Sequence, residues 1–369
     1  MPLPETFLLT AIATGLAYLA AIGYIRRWWR RLPEWRTPTN DNPTVFISVI
    51  VPARNEAANI EACLQSLLSQ NYPVNLFEII VVDDHSEDDT AVRARALHDD
   101  RIRVVTAPGM QKKQALAYGV SLAQGELIAS TDADCQAPPQ WLSLLASAYE
   151  KQQPAFIAAP VAFHKENNLL GYFQSLDYLG MMVLTGAGIY SGRLLLANGA
   201  NLAYPKAVFE EVGGFAGIDH VASGDDMFLL QKIARRYPGR LFFIKNPEAT
   251  VFTQPQPSLG SLWSQRLRWA SKSSAFRGGV MLVYLALVFA VCWGFLLGLA
   301  LAPFAALVLL AFKLLADYAL LREACLYFHR TDLMRYFIPA QLLHIAYIAL
   351  IGLAGGFVRR YRWKGREVR

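Results

Sequence analysis

The sequence predicts an α/β domain, a mostly parallel sheet with helices on both faces, joined to transmembrane helices. Three observations lead there. Short apolar, β-branched runs alternate with helical patterns between Val45 and Ser130, and continuous apolar strands of that kind belong to sheets covered on both faces. Charge is scarce, at 17% of residues with a mean hydropathy of +0.26, where a soluble globular chain carries about 25%. The deficit is concentrated in uncharged stretches: Thr6–Ile25 (20 residues), Gly278–Phe312 (35) and Tyr336–Val358 (23). One helical crossing of a bilayer needs roughly 20 apolar residues. Disorder, a collagen-like fibre, a small disulfide scaffold and a wholly soluble enzyme are excluded.

Residues 1–36 read as a membrane anchor with a basic collar. The positive charge follows the apolar run, unlike that of a cleaved secretory signal. The anchor is therefore expected to have its N-terminus outside. Arg26, Arg27, Arg30, Arg31 and Arg36 would lie on the cytoplasmic side, with Trp28 and Trp29 as interfacial aromatics.

Residues 37–276 read as a cytoplasmic domain. Val45–Val51 is its first strand, and Asn55–Ser69 has a helical pattern. Phe77–Val82 is the second strand, ending at Asp83, and a polar helix follows. Then come a strand at Ile102–Thr106, a helix at Lys112–Ala123 and a strand at Glu126–Ser130 that leads into Asp132. Ligands of parallel sheets bind outside the carboxyl ends of the strands, so these acids stand on the expected ligand edge. No G-x-G-x-x-G or P-loop pattern is present.

Residues 277–369 read as a C-terminal membrane region and a basic tail. Pro303 divides the longest run into Gly279–Ala302 and Phe304–Leu321, and the third segment is Tyr336–Val358. Lys313 and Asp317, at i and i+4, either pair on one helix face or snorkel separately. Three crossings from the cytoplasm would leave the basic tail outside, against the positive-inside rule, unless one segment is re-entrant. The side of the tail stays open. Collar and tail account for the net charge of +6 and leave the rest of the chain slightly acidic. The basic balance thus points to membrane boundaries and not to nucleic acid. Cys63, Cys135, Cys292 and Cys325 have no paired or metal-ligand spacing and are expected to be reduced, buried thiols. His164 and His220 stand alone and read as structural.

Four groups carry chemistry. Asp83-Asp84 closes the second strand, either as a turn with a helix cap or as part of a site. Asp132-Ala133-Asp134 closes the fourth. Side chains two apart in extended backbone point the same way, so both carboxylates can face one hard cation shared with a diphosphate. Ser223-Gly224-Asp225-Asp226 reads either as a helix start or as the place of a general base. Gln265-Arg266-Leu267-Arg268-Trp269 is either a basic interfacial helix or a clamp on a diphosphate. Leu169–Tyr190 is a Met- and aromatic-rich stripe, either core packing or an interface helix that admits a lipid.

Taken in order, V-P-A-R-N-E (51–56), D-D-H-S-E-D-D-T (83–90), K-K-Q-A-L (112–116), D-A-D (132–134), G-D-D (224–226) and Q-R-L-R-W (265–269) resemble the family-2 inverting membrane glycosyltransferases. That family includes cellulose and hyaluronan synthases and ceramide glucosyltransferase. The resemblance implies a GT-A fold, a nucleotide-sugar donor with a UDP-sugar favoured, Mg²⁺ or Mn²⁺, and a lipid or lipid-linked acceptor. It also implies a bacterial plasma-membrane protein with its catalytic domain in the cytoplasm. Pro52, Glu56, Asp83 and Asp132 would bind the donor, with Lys113 or Lys112 near the nucleobase or phosphates. Asp132 and Asp134 would hold the metal, Asp226 would be the catalytic base, and Gln265, Arg268 and Trp269 would clamp acceptor and diphosphate. Asn198–Phe215 resembles the acceptor-side segment. Ala117 stands where many members have Asn. A processive polysaccharide synthase is the alternative within the family, and a non-catalytic nucleotide-sugar-binding subunit the alternative outside it.

Overall fold

The computed structural model describes residues 3–36, 42–217, 224–270, 279–355, 361–363 and 366–368. His220, Ser223 and most of the basic tail lie outside them. The chain divides into two compact units, each discontinuous in sequence. One takes Met1–Arg31, Lys165–Leu194 and Pro255–Tyr361, the other Leu32–His164, Leu195–Gln254 and Arg362–Arg369.

After helix α1 (Leu3–Arg31), the chain enters the sheet unit with β1 (Ile47–Ala53), α2 (Ile60–Leu68), β2 (Phe77–Asp83) and α3 (Thr90–Arg95). It continues through β3 (Ile102–Thr106), α4 (Lys112–Leu122), β4 (Leu127–Ser130), α5 (Trp141–Gln152), β5 (Phe156–Ala158) and β6 (Val161–Phe163). Helix α6 (Leu169–Ser191) belongs to the other unit. The chain then returns through β7 (Leu202–Pro205), α7 (Lys206–Glu211), α8 (Asp225–Arg236), β8 (Leu241–Phe243) and β9 (Val251–Thr253). Seven strands form one sheet in the order β3-β2-β1-β4-β7-β5-β8, parallel except for β7, which runs against both neighbours. β6 and β9 pair separately. β1, β2 and β4 are buried along almost their whole length, which is why they read as unbroken apolar runs.

Register sets the ligand edge. Ala53 pairs with Asp83, so β1 and β2 end together, and Ile50 pairs with Ser130, so β4 stops three residues earlier at the same edge. β7 begins at Leu202 opposite Ser130. Its reversal brings the residues just before it to the same edge as those just after β4. The turn there is fixed by Asn201, which is fully buried and fully used. Its Oδ1 accepts from Trp141 Nε1 at 2.8 Å, and its Nδ2 donates to Pro160 O at 2.6 Å and Ala249 O at 2.8 Å.

The predicted helix at Asn55–Ser69 starts only at Ile60. The preceding residues are used to zip two loops together. Asn55 N–H donates to Ser86 Oγ at 3.0 Å, Glu56 N–H to Thr90 Oγ1 at 2.8 Å and Ala57 N–H to Asp88 Oδ2 at 3.1 Å. Arg54 donates to the carbonyl oxygens of Asp84 and His85. Backbone donors satisfied by side chains in this way compete with helix formation.

The helical unit holds α1, α6, α9 (Leu259–Ala270), α10 (Gly279–Leu301), α11 (Pro303–Tyr327) and α12 (Phe337–Gly355). Among the described residues, four helices are long and apolar enough to cross a membrane: Glu5–Arg31, Gly279–Leu301, Pro303–Tyr327 and Thr331–Ala354. Pro303 does break the long run, as the first residue of α11. Lys313 and Asp317 pair and do not snorkel. Both are buried, and the ammonium also meets Gln341 Oε1 at 2.5 Å while Tyr18 Oη donates to Asp317 at 2.5 Å. This network joins α1, α11 and α12.

Two expectations for the collar are corrected. Trp29 is 2% exposed and packs edge-on against Tyr327 at 5.0 Å, so it is a core residue and not an interfacial one. Arg26 and Arg30 both pair with Glu323 of α11, at 3.0 and 2.8 Å, so their charge is answered by protein. The stripe on α6 is buried almost without interruption from Phe173 to Ile189, which favours the packing role. All four cysteines are free and buried, as expected.

Candidate active site

Four segments meet at the carboxyl edge of the sheet. The turn after β4 supplies Asp132 and Asp134, and the start of α4 supplies Lys112. The turn before β7 supplies Asn198 and Gly199, and the first turn of α8 supplies Asp225 and Asp226. Gly224, at φ +87, makes the left-handed entry that a residue with a Cβ would resist. The two acids then stand where the helix dipole favours negative charge.

Asp226 is held by two backbone donors. Gly199 N–H reaches its Oδ2 at 3.0 Å, and Met227 N–H reaches Oδ1 at 2.8 Å. Lys112 Nζ lies 2.5 Å from Asp132 Oδ1 and 3.8 Å from Asp225 Oδ2. Burial works against the ammonium, but the charges of Asp132 and Asp225 outweigh it and raise its pKa above the ordinary lysine value. Gly199 makes room for this arrangement, since a Cβ there would stand 3.3 Å from Nζ and 3.6 Å from Asp225 Oδ2.

One ligand atom each from Asp132, Asp134 and Cys135 lies within 4.8 Å of the others. This corrects the expectation that no cysteine joins a metal-ligand grouping. The spacing D-x-D-C hides it, because the thiol comes round only through the turn. Cys135 Sγ is 3.5 Å from Asp134 Oδ1, and Cys63 Sγ is 3.6 Å from Asp132 O. Burial and the two aspartates push both thiols well up, so they stay protonated. Two carboxylates, with Asp134 exposed, form a donor set suited to Mg²⁺ or Mn²⁺ that leaves ligand positions for phosphate oxygens.

The other anticipated residues are placed as follows. Asp83 ends β2, is buried, and accepts from Ser86 N–H at 3.3 Å. Pro52 lies beside it in β1, and Glu56 Oε2 accepts from Asn59 Nδ2 at 2.8 Å. Lys113 is buried, and its ammonium lies 5.5 Å from the Phe228 ring centre. Lys112 is the lysine that meets Asp132 and Asp225. Sequence alone left the pair unresolved, because a helix start turns successive side chains by about 100° without saying which faces the site.

Gln265, Arg268 and Trp269 lie on α9, in the helical unit. Sequence reasoning missed Arg266 between them. Its side chain is 1% exposed and pairs with Asp177 of α6 at 2.8 Å. Its guanidinium lies 4.4 Å from the Trp269 ring and 5.3 Å from that of Tyr347 on α12. Arg266→Lys keeps the charge and loses the flat face that stacks. It is expected to cost about 1–2 kcal/mol, the scale of a desolvated cation–π contact, measured as earlier thermal unfolding in detergent.

Residues 48–213 match the family model described as Glycosyl transferase family 2. The glycosyltransferase AglE of Haloferax volcanii is 29% identical over 185 residues, 49% of this chain and 59% of that protein. A β-monoglucosyldiacylglycerol synthase of Trichormus variabilis is 30% identical over 129 residues, 33% of this chain and 28% of that protein. The chain thus spans less than two thirds of the length of these curated relatives. Among solved structures, the mannosyltransferase PcManGT of Pyrobaculum calidifontis, in complex with GDP-Man and Mn²⁺, superposes with a TM-score of 0.63 at 23% identity. The match covers 95% of this chain and 99% of that one. Residues 48–213 carry a glycosyl transferase family 2 domain, on a mixed α/β fold of the GT-A kind.

Proposed function

We propose that the chain is an inverting glycosyltransferase that moves a sugar from a nucleotide-sugar donor to a hydroxyl of a membrane-associated, lipid-linked acceptor. The observation that carries this reading is the meeting of Asp226 with Asp132, Asp134 and Lys112 at one edge of the sheet. A binding subunit has no need of a carboxylate positioned as Asp226 is.

Asp226 would take the proton from the acceptor hydroxyl as that oxygen attacks the anomeric carbon, and its two backbone donors hold it in place for this. Asp132 and Asp134 would hold Mg²⁺ or Mn²⁺, which supplies charge neutralisation on the nucleoside diphosphate leaving group. Pro52, Glu56 and Asp83, at the neighbouring strand ends, would form the nucleoside side of the donor site, with a UDP-sugar as the expected donor. Gln265, Arg268 and Trp269 would clamp diphosphate and acceptor. The four apolar helices and the lipid named in the diacylglycerol relative support an acceptor within reach of a bilayer. Arg27 and Arg31 support a cytoplasmic site at a bacterial plasma membrane.

The test is a panel of radiolabelled UDP- and GDP-sugars with native lipid extract and purified protein. The expected result is one labelled organic-phase product with one donor, lost on chelation of divalent ions and restored by Mn²⁺. A ladder of products would favour a polymer synthase. Absence of transfer from every donor would overturn the reading.

A further inference from the structure

Lys112 holds the position that makes the acidic cluster self-sufficient. Its ammonium joins Asp132, an acid of the D-A-D pair, to Asp225, the neighbour of Asp226. The side chains are sheltered, 22% exposed for Lys112, 34% for Asp132 and 10% for Asp225, so solvent screens them only in part. Gly199 fits around this arrangement: it lacks the Cβ that would crowd Nζ, and its N–H is committed to Asp226. Lys112 is also the first residue of α4 and so projects from a helix end, not from a free loop.

A cation entering this cluster alone meets an occupied carboxylate. It must take Asp132 from the ammonium and leave two positive groups facing each other, with Lys112 keeping the more distant Asp225 at 3.8 Å. A nucleoside diphosphate changes this balance. Its phosphate oxygens are strong acceptors for an ammonium, so Lys112 has a new partner when Asp132 is given up.

We propose that Lys112 is a built-in counter-ion of the D-A-D acids, competing with the divalent cation for Asp132 and yielding to it when a donor diphosphate is present. This rests on the reading of Asp132 and Asp134 as cation ligands. Its consequence is that cation and nucleotide load together: each raises the affinity of the other, by the same factor in both directions.

The experiment measures Mn²⁺ binding by electron paramagnetic resonance of free Mn²⁺, with purified full-length protein in detergent. UDP and GDP are tested in separate arms. Wild-type protein is expected to bind Mn²⁺ weakly alone and at least about fivefold more tightly with one of the nucleotides, within the usual range of coupling between sites. K112M is expected to bind Mn²⁺ alone about tenfold more tightly than wild type and to lose most of the coupling. K112R keeps the charge and is expected to keep the weak binding.

A wild-type coupling below about twofold with both nucleotides overturns the proposal, since reciprocal loading is its core claim. So does a folded K112M that binds Mn²⁺ alone no more tightly than wild type. The D132N/D134N double variant separates this from the underlying site reading. If it binds Mn²⁺ as wild type does, the cation site itself is misassigned. If it loses Mn²⁺ while K112M matches wild type, only the counter-ion role fails.

Discussion

Asp226→Asn is expected to lower turnover by about 10²- to 10⁴-fold, the usual contribution of a positioned general base, with nucleoside diphosphate binding unchanged. The substitution keeps the shape of the side chain and removes its basicity. Gly199 N–H and Met227 N–H both point at this carboxylate, and an amide offers one oxygen where the acid offers two. One bond is therefore lost, at a cost of about 1 kcal/mol, too little to unfold the domain. Initial rates at saturating donor, beside nucleotide affinity from titration, separate catalysis from binding. Near-normal turnover in this variant would remove Asp226 as the base. Asp225, its neighbour in the first turn of α8, would then be the next carboxylate to test.

The second large effect lies in the apolar helices. Asp317→Leu leaves the Lys313 ammonium buried opposite only the neutral Gln341 and strips Tyr18 of its acceptor. Breaking a buried pair from one side costs about 3–5 kcal/mol, so this variant is expected to unfold much earlier in detergent or to fail to accumulate. The double variant Lys313→Met, Asp317→Leu removes both charges together and is expected to recover most of that loss. Thermal unfolding of wild type, single and double variants checks this. Equal destabilisation in single and double variants would mean that the pair's hydrogen bonds, and not charge balance, hold α1, α11 and α12 together.

How much the sequence disclosed follows from what each element depends on. β2 was readable nearly to the residue because continuous burial writes itself as an apolar, β-branched run, and β3, a partly exposed edge strand, was readable from its short β-branched run alone. β5, β6, β8 and β9 have three residues each, too short to leave a pattern. β7 was hidden for another reason, since a strand's direction is not encoded in its periodicity. The start of α2 was misplaced because Asn55, Glu56 and Ala57 give their N–H groups to side chains from a loop some thirty residues away. At the site, motif spacing located the acids at strand ends. It did not show that Lys112 faces them while Lys113 turns to Phe228, nor that Cys135 joins Asp132 and Asp134. Those facts arise when separate segments converge. Trp29 misled because an aromatic at the end of an apolar helix suits either a headgroup region or a core, and Tyr327 decides between them.

The chain passes between the two units five times, at 31/32, 164/165, 194/195, 254/255 and 361/362. The acids after β4 come before the α6 excursion, and Asp226 comes after it. Every continuous stretch that contains both Asp132 and Asp226 therefore includes the 23 residues of α6. The sheet unit cannot be excised by trimming either end, and it cannot be exchanged between proteins as one continuous cassette. During synthesis, strands up to β6 emerge before that helix, while β7 and α8, which carries Asp226, follow it. The acidic cluster is thus completed only after part of the apolar unit has been made.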